Sequence, residues 1–372
     1  MRIAIEAQRI FRREKHGMDY VVLETIREIQ KIDKENEYFI LVSPGDDVCL
    51  QESANVHIVT VNWPSYPLWE QIGLPLALKR IKPDLLHCTS NTAPIWCDIP
   101  LVLTLHDIIF LENRQGKNQS VYQNLGRIYR RIVVPAILKK CKKIITVSHF
   151  ECDHISRSLS IDKSLLTAVY NGYSKHFKPI RNAQEITAKY IEKRPYLFFL
   201  GNTDPKKNTA RVLQAYSIYL KKSRQPLPLL IADLKEEVID EYLKQGNLQE
   251  IKKMLYHPGY IPNTELPAIY SGASAFIYTS LRESFGIPIL EAMACGTPVI
   301  TSNTSAMPEI AGPGGILVNP FHPEEIASAL LHLEEEPEYY QSQAAYGLER
   351  VCRFSWENTA RETLKIYKEI LA

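Results

Sequence analysis

The sequence predicts an α/β chain built as two doubly wound, Rossmann-like domains that face each other across a cleft. Three observations lead there. The 372 residues exceed what one compact core accommodates and suit two domains of ordinary size. Short apolar runs alternate with stretches of helical period, the pattern of parallel strands joined by crossover helices. The alternation lapses once, in a polar stretch edged by Pro179 and Pro195, and restarts with the same opening of strand, glycine-containing loop and helix.

In the first half the expected strands are Arg2–Glu6, Tyr38–Val42, His57–Val61, Asp84–His87, Leu101–His106 and Lys143–Val147. Asp19 to Asp33 reads as a helix with Val22, Ile26 and Ile29 on one face, and Val121 to Lys142 as a second, with a kink expected at Pro135. Residues 1–178 form the first domain on this reading, 179–195 the linker and 196–355 the second domain. The second half offers strands at Tyr196–Leu200, Leu229–Ala232, Ala275–Thr279, Pro298–Thr301 and Gly315–Val318. Helices are expected at Asn208–Lys221, Ile287–Ala294 and Pro323–Leu333. A last helical stretch, Phe354–Leu371, could return to the first domain and add residues 356–372 to it.

Composition excludes several classes. Hydrophobic residues at 45% and charged residues at 23% describe a globular chain. A formal net charge of +2 gives no basic field for a dedicated nucleic-acid binder. No apolar run reaches the roughly 18–20 residues of a membrane span, and MRIAIEAQRI runs straight into a strand pattern with no signal-peptide core. Seven cysteines lie scattered with no C-x-x-C spacing, as expected of incidental thiols in a reducing, cytoplasmic compartment.

The strongest local feature is Arg282-Glu283-Ser284-Phe285-Gly286-Ile287-Pro288-Ile289-Leu290-Glu291-Ala292, between a buried strand and a helix that Gly296 can end. Backbone amides at Phe285, Gly286 and Ile287 would stand at the positive end of that helix, where a phosphate is favoured. Gly286 permits close backbone approach, and Pro288 in the first turn sacrifices no needed N–H. Glu283 and Glu291 would present carboxylates to sugar hydroxyls. Two glutamates at this spacing also arise by chance; the pair set around S-F-G-I-P after a buried strand is far more specific.

With these flanks, and with A-C-G-T-P-V-I following, the chain resembles the retaining glycosyltransferases of family 4, which have the GT-B fold and an E-x7-E motif. The resemblance implies that Glu283 contacts the donor sugar, Glu291 the nucleotide ribose, and the amides after Phe285 the distal phosphate. It extends through Gly259-Tyr260-Ile261 and Glu265-Leu266-Pro267-Ala268-Ile269-Tyr270, similar to the family's base-side segment, which makes Tyr260, Ile261 and Glu265 expected substrate contacts. Met307-Pro308-Glu309-Ile310-Ala311-Gly312 is similar as well.

Gly201-Asn202-Thr203-Asp204-Pro205-Lys206-Lys207-Asn208 lies between a strand and a helix. A lysine at a helix start is mildly disfavoured unless an anion is bound there, although a solvated lysine pair is the plainer alternative. By the resemblance Lys207 neutralises the leaving diphosphate, and Asn202 stands where many members carry arginine. In the first half, His106-Asp107 ends an apolar strand. A histidine there is as often a core hydrogen-bonder as a catalyst, and the resemblance places it beside the donor sugar. His87 is a weaker parallel, followed by Thr89, Ser90 and Asn91 that could bind acceptor hydroxyls. Gly17, in His16-Gly17-Met18-Asp19, matches the family's glycine-rich loop in part, as a substrate contact.

There is no G-x-x-x-x-G-K-[ST], H-E-x-x-H, G-x-S-x-G or D-x-D, so no metal ligands and no cofactor are expected; a nucleoside-diphosphate sugar is the donor substrate. Between Asn113 and Phe150 stand Arg114, Lys117, Arg127, Arg130, Arg131, Lys139, Lys140, Lys142 and Lys143 without one acid, interleaved with Ile128, Ile132, Val133 and Ile137. Segment 114–143 is read as a basic face against anionic lipid on the inner membrane surface, the alternative being a solvated helix packed on the sheet. The expected activity is metal-independent, retaining transfer of a sugar to a hydroxyl of a glycan or lipid-linked saccharide, in cell-surface polysaccharide synthesis. A nucleotide-sugar epimerase, a sugar phosphorylase and a non-catalytic nucleotide-sugar-binding subunit remain the alternatives.

Overall fold

The computed structural model describes residues 1–111, 121–192 and 195–372. They divide into two compact units, one of Met1–Gly172 with Trp356–Ala372 and the other of Tyr173–Ser355.

The strands of the first unit are β1 (Arg2–Glu6), β2 (Glu37–Val42), β3 (Val56–Thr60), β4 (Leu85–Cys88), β5 (Leu101–Thr104), β6 (Cys141–Thr146) and β7 (Leu166–Ala168). Among the described residues they form one sheet in the order β3-β2-β1-β4-β5-β6-β7, parallel throughout. Alternate residues serve opposite faces. Ile3 and Ile5 join a core with Ile26 and Tyr38, while Ala4 joins another with Trp69, Leu86 and Val133. Covering both faces is what turns these strands into nearly unbroken apolar runs. The helix Trp356–Leu371 belongs to the first of those cores through Ala360, Ile366 and Tyr367. Its Thr359 hydroxyl donates to the Tyr170 carbonyl at 2.6 Å, and the Tyr367 hydroxyl lies 2.6 Å from His87 Nδ1.

The second unit contains β8 (Tyr196–Leu200), β9 (Leu229–Ala232), β10 (Leu255–Gly259), β11 (Ala273–Tyr278), β12 (Val299–Ser302) and β13 (Ile316–Val318). Their order, again among the described residues and all parallel, is β10-β9-β8-β11-β12-β13. Each unit thus winds outward from its first strand and then reverses beside it, at β1/β4 and at β8/β11. In open parallel sheets, ligands bind outside the carboxyl ends of the strands at that reversal.

Four expectations need correction. The stretch 179–195 is not a free linker: Ile180 donates its N–H to Ser271 Oγ at 3.0 Å, Ala183–Thr187 is helical, and Ala183 and Ile191 are buried. Its sparse apolar residues pack on the second unit, and the chain passes between units at Gly172 and Tyr173. The helix from Val121, which contains Pro135, ends at Leu138 and not at Lys142, because strand β6 begins at Cys141. Arg114 and Lys117 of the expected basic segment fall outside the described residues. Strands β7 and β10 were not foreseen. Both lie at sheet edges; the first is three residues long and the second carries Pro258, which an edge strand tolerates.

Candidate functional site

In the second unit the reversal point is built from the two loops singled out by sequence. One follows β8 and carries Asn202 to Asn208; the other follows β11 and leads to the helix Ile287–Ala294. They are bonded directly: the Leu281 N–H donates to the Lys206 carbonyl at 2.7 Å. Asn208, buried and held at φ 64°, donates its side-chain amide to the carbonyls of Thr279, at 3.0 Å, and Pro320, at 2.7 Å. Ser305, at φ 58°, accepts the Glu283 N–H at 3.1 Å and donates its hydroxyl to the Glu283 carbonyl at 2.5 Å. Asn208 and Ser305 therefore set the backbone on either side of Glu283. Sequence reading did not assign either; the usable signal was an asparagine closing a loop just before a helix, since asparagine tolerates the left-handed region.

These supports bring Lys207 and Glu283 together. Lys207 Nζ donates to Glu283 Oε1 at 2.6 Å, lies 3.4 Å from the Tyr278 hydroxyl, and sits 5.2 Å from the centre of the Tyr278 ring. Both charged side chains are largely covered. Gly286 precedes the helix at φ 107°, a conformation that side chains rarely adopt. The leading N–H groups of such a helix have no acceptor within it and carry its positive end. The Phe285 side chain is buried, its ring 6.0 Å from that of Phe354, so this residue anchors the turn and only its backbone can serve a ligand.

Glu291 is the fifth residue of the helix Ile287–Ala294. Burial pushes its carboxyl up to about 7, and the Tyr270 hydroxyl, donating at 3.3 Å, offsets part of this. The two glutamates of the motif consequently differ: Glu283 rests on a cation, and Glu291 is a desolvated acid near its titration point at neutral pH.

The flanking residues separate into built and open positions. Asn202 accepts the Asp204 N–H at 2.8 Å, and its carbonyl accepts the Thr209 hydroxyl at 2.7 Å, so it shapes the loop. Tyr260 is 74% exposed beyond β10, whereas Ile261 is buried and offers only its backbone. Glu265 is committed to Lys189, at 2.8 Å, and to the Tyr190 hydroxyl, at 2.6 Å; the hydrogen bond from Lys189 holds its carboxyl below the usual range. That carboxylate ties the 183–191 segment to the helix Leu266–Gly272 instead of standing open as the expected contact.

In the first unit, His106 follows β5 and is buried. Its N–H donates to Asn91 Oδ1 at 2.7 Å, and its Nε2 lies 3.0 Å from the Thr89 carbonyl. A carbonyl only accepts, so Nε2 carries the proton, and Nδ1 is the accepting nitrogen of the neutral ring. Burial lowers the pKa of His106, against a smaller raising effect of the Thr89 carbonyl, and keeps the ring neutral. His87 is a different case. Nδ1 meets Tyr367 and Nε2 meets Thr104 Oγ1 at 2.7 Å, and burial pushes it down to about 3. It is a core hydrogen-bonder. Both rings border a cavity of about 30 Å³, room for roughly two waters.

Thr89 and Asn91, expected near an acceptor, are buried and used internally. The Thr89 hydroxyl donates to the Glu6 carbonyl at 2.7 Å, and the Asn91 side chain holds His106. Glu6 went unassigned in the sequence; it is fully buried at the end of β1 and accepts the N–H groups of Gln8 and Thr89. Its signal was a carboxylate closing the apolar run Arg-Ile-Ala-Ile-Glu. Gly17 opens the helix Gly17–Ile32, with no atom within 4 Å of where a Cβ would sit, and Asp19 in its first turn pairs with Arg9 at 3.1 Å.

Residues 16–176 match the family model Glycosyltransferase Family 4, and residues 182–350 match the model Glycosyl transferases group 1. Together with two parallel sheets of the same winding, these matches give the chain the GT-B fold, each half similar to a glycosyltransferase family model. Among individual proteins it is similar to O-antigen chain mannosyltransferase B of Escherichia coli, 30% identical over 237 residues, or 62% of this chain and 61% of that one. It is also similar to the serotype-specific mannosyltransferase WbdA of Escherichia coli, 24% identical over 81% of this chain and 38% of WbdA. The alignments thus take in less than two thirds of either relative's length. Sucrose-phosphate synthase of Thermosynechococcus elongatus has the same fold, with a TM-score of 0.76 at 18% identity over 99% of this chain and 98% of that one.

Proposed function

We infer that this chain transfers a hexosyl group, mannosyl by the analogy of its curated relatives, from a nucleoside diphosphate to a hydroxyl of a glycan or lipid-linked saccharide, with retention of the anomeric configuration and without a metal ion. The observation that carries this reading is the Lys207–Glu283 contact of 2.6 Å at the β8/β11 reversal, beside the start of the helix Ile287–Ala294.

The donor diphosphate docks on the helix-start amides and on the Lys207 ammonium. Glu283, relieved of part of its pairing, accepts from sugar hydroxyls, and Glu291 accepts from the ribose. As the bond between the anomeric carbon and the phosphate oxygen breaks, Lys207 and the amides take up the growing negative charge, typically the largest contribution in such chemistry. The acceptor oxygen bonds to the anomeric carbon on the face the phosphate leaves, and the departing phosphate receives the acceptor proton. Of the three residues assigned to catalysis, Lys207 and Glu283 are supported by this contact. His106 is supported by its neutral ring and its accepting Nδ1, suited to a sugar hydroxyl.

Incubating the protein with UDP-, GDP- and ADP-sugars and saccharide acceptors, while following nucleoside diphosphate release and the product anomer by NMR, tests the reading. An α-linked product from an α-donor, formed in the presence of EDTA, is expected. An inverted product, conversion of a donor without acceptor, or a requirement for inorganic phosphate would overturn it in favour of an inverting enzyme, an epimerase or a phosphorylase.

A further inference from the structure

Tyr278 is the last residue of β11, and its side chain is buried. On one face of that strand Ala275 and Ile277 enter the second unit's core. On the other face the Tyr278 ring stacks on Phe276, with centres 5.7 Å apart, and Phe276 meets Tyr270 edge-on at 5.0 Å. The tyrosine is thus the outermost ring of an aromatic cluster that ends under the site. Lys207 Nζ stands 5.2 Å from its ring centre and 3.4 Å from its hydroxyl. A β-carbon added at Gly286 would lie 3.5 Å from Tyr278 Cε1, so the same ring also backs the start of the helix Ile287–Ala294. One side chain underlies the ammonium and the helix-start turn together.

The hydroxyl is the part that packing does not explain. A phenylalanine would fill this space, stack on Phe276 and still face Lys207, and a buried hydroxyl is costly unless it is hydrogen-bonded. Its partners are the site's own charges. An ammonium only donates and a carboxylate only accepts, whereas a phenol does both. The Tyr278 hydroxyl can therefore accept from Lys207 while donating to Glu283. Burial, and after it the charge of Glu283 and a hydrogen bond with that residue, hold the tyrosine pKa well above its ordinary value, so the hydroxyl keeps its proton.

We propose that Tyr278 is a positioning residue, whose ring and hydroxyl keep the Lys207 ammonium beside the helix start when the Glu283 carboxylate turns to the donor. This rests on the functional reading above, in which Glu283 gives up part of its pairing with Lys207. A lysine is a flexible stem that its carboxylate partner restrains, and that restraint weakens just as charge grows on the leaving phosphate. Tyr278 takes over the restraint without competing for the charge, because it is neutral. It acts through Lys207 and Glu283 and touches no reacting atom.

Tyr278→Phe, made in the unaltered chain and in Lys207→Ala, tests the proposal. In the unaltered chain kcat should fall about tenfold, the scale of one hydrogen bond to a charged group. The donor KM should stay within about twofold and the melting temperature should change little. In Lys207→Ala the same substitution should change kcat less than about twofold, since the group it acts through is gone. Undiminished kcat, or an equal fall in both backgrounds, would overturn the proposal, the second by leaving the tyrosine a packing role alone. A further measurement needs no donor: the rate of Lys207 methylation by formaldehyde and cyanoborohydride, followed by mass spectrometry in Glu283→Ala. Adding Tyr278→Phe should make that rate several-fold faster, and an unchanged rate overturns the hold on Lys207. Absence of transfer by the unaltered chain from every donor tried would instead fall on the functional reading, while the methylation rates still decide whether Tyr278 restrains Lys207.

Discussion

Lys207 and Glu283 neutralise each other at 2.6 Å although they sit on loops that follow different strands. The carboxylate holds the Lys207 ammonium in place at the β8/β11 reversal, where on the proposed function a diphosphate would dock. Removing either residue therefore leaves the other without its counter-ion as well as removing its own role.

Lys207→Ala and Glu283→Gln are each expected to reduce turnover by about 10²-fold or more, by analogy with loss of one charge-stabilising group. Lys207→Ala should in addition weaken inhibition by the free nucleoside diphosphate, and Glu283→Gln should not. Steady-state kinetics with product inhibition separate the two, and near-normal turnover in either variant withdraws that residue's role.

The Glu291 carboxyl, raised by burial to about 7, holds its proton more tightly in the folded chain than in the unfolded one. Its contribution is complete below the unfolded value, near 4.5, and is lost as pH rises from there through about 7. The loss amounts to a few kcal/mol at most. Thermal melts of the native chain and of Glu291→Gln across pH 4 to 8 check this: the substitution should flatten the decline on the alkaline side. A parallel decline in both would contradict the assignment.

Asn208 combines a left-handed backbone with two hydrogen bonds to carbonyls. Asn208→Gly keeps the backbone and loses the bonds, while Asn208→Ala loses both. Denaturant melts should rank Ala below Gly by about 1 kcal/mol, the cost of a β-carbon at positive φ. Turnover should fall in both, because the loop that holds Lys207 loosens. Equal stabilities for the two would remove the strain argument.

The parallel architecture was legible because it depends on period and alternation, which Tyr196–Leu200 and Arg2–Glu6 display without interruption. The edge strands Leu166–Ala168 and Leu255–Gly259 were not, since a strand paired on one side needs fewer apolar residues and admits a proline. The motif itself pointed to Glu283 and Glu291, and the resemblance of the loop Gly201–Asn208 to Lys207. What spacing could not convey was pairing across sequence: that Lys207 rests on Glu283, that Glu265 is held by Lys189 and Tyr190, and that Thr89 and Asn91 spend their polar groups inside the first unit. Each of those partners is separated from its mate by 15 to 83 positions.

The helix Trp356–Leu371 has a consequence for biosynthesis. Ala360, Ile366 and Tyr367 fill part of the interior around Ile3 and Ile5, so the portion of the chain made first cannot close until the ribosome has delivered residues beyond Ser355. Residues 173–355 emerge in one piece and can mature ahead of it, reversing the usual amino-to-carboxyl order. A chain truncated after Ser355 and released should accordingly present a protease-resistant second unit and a vulnerable first one.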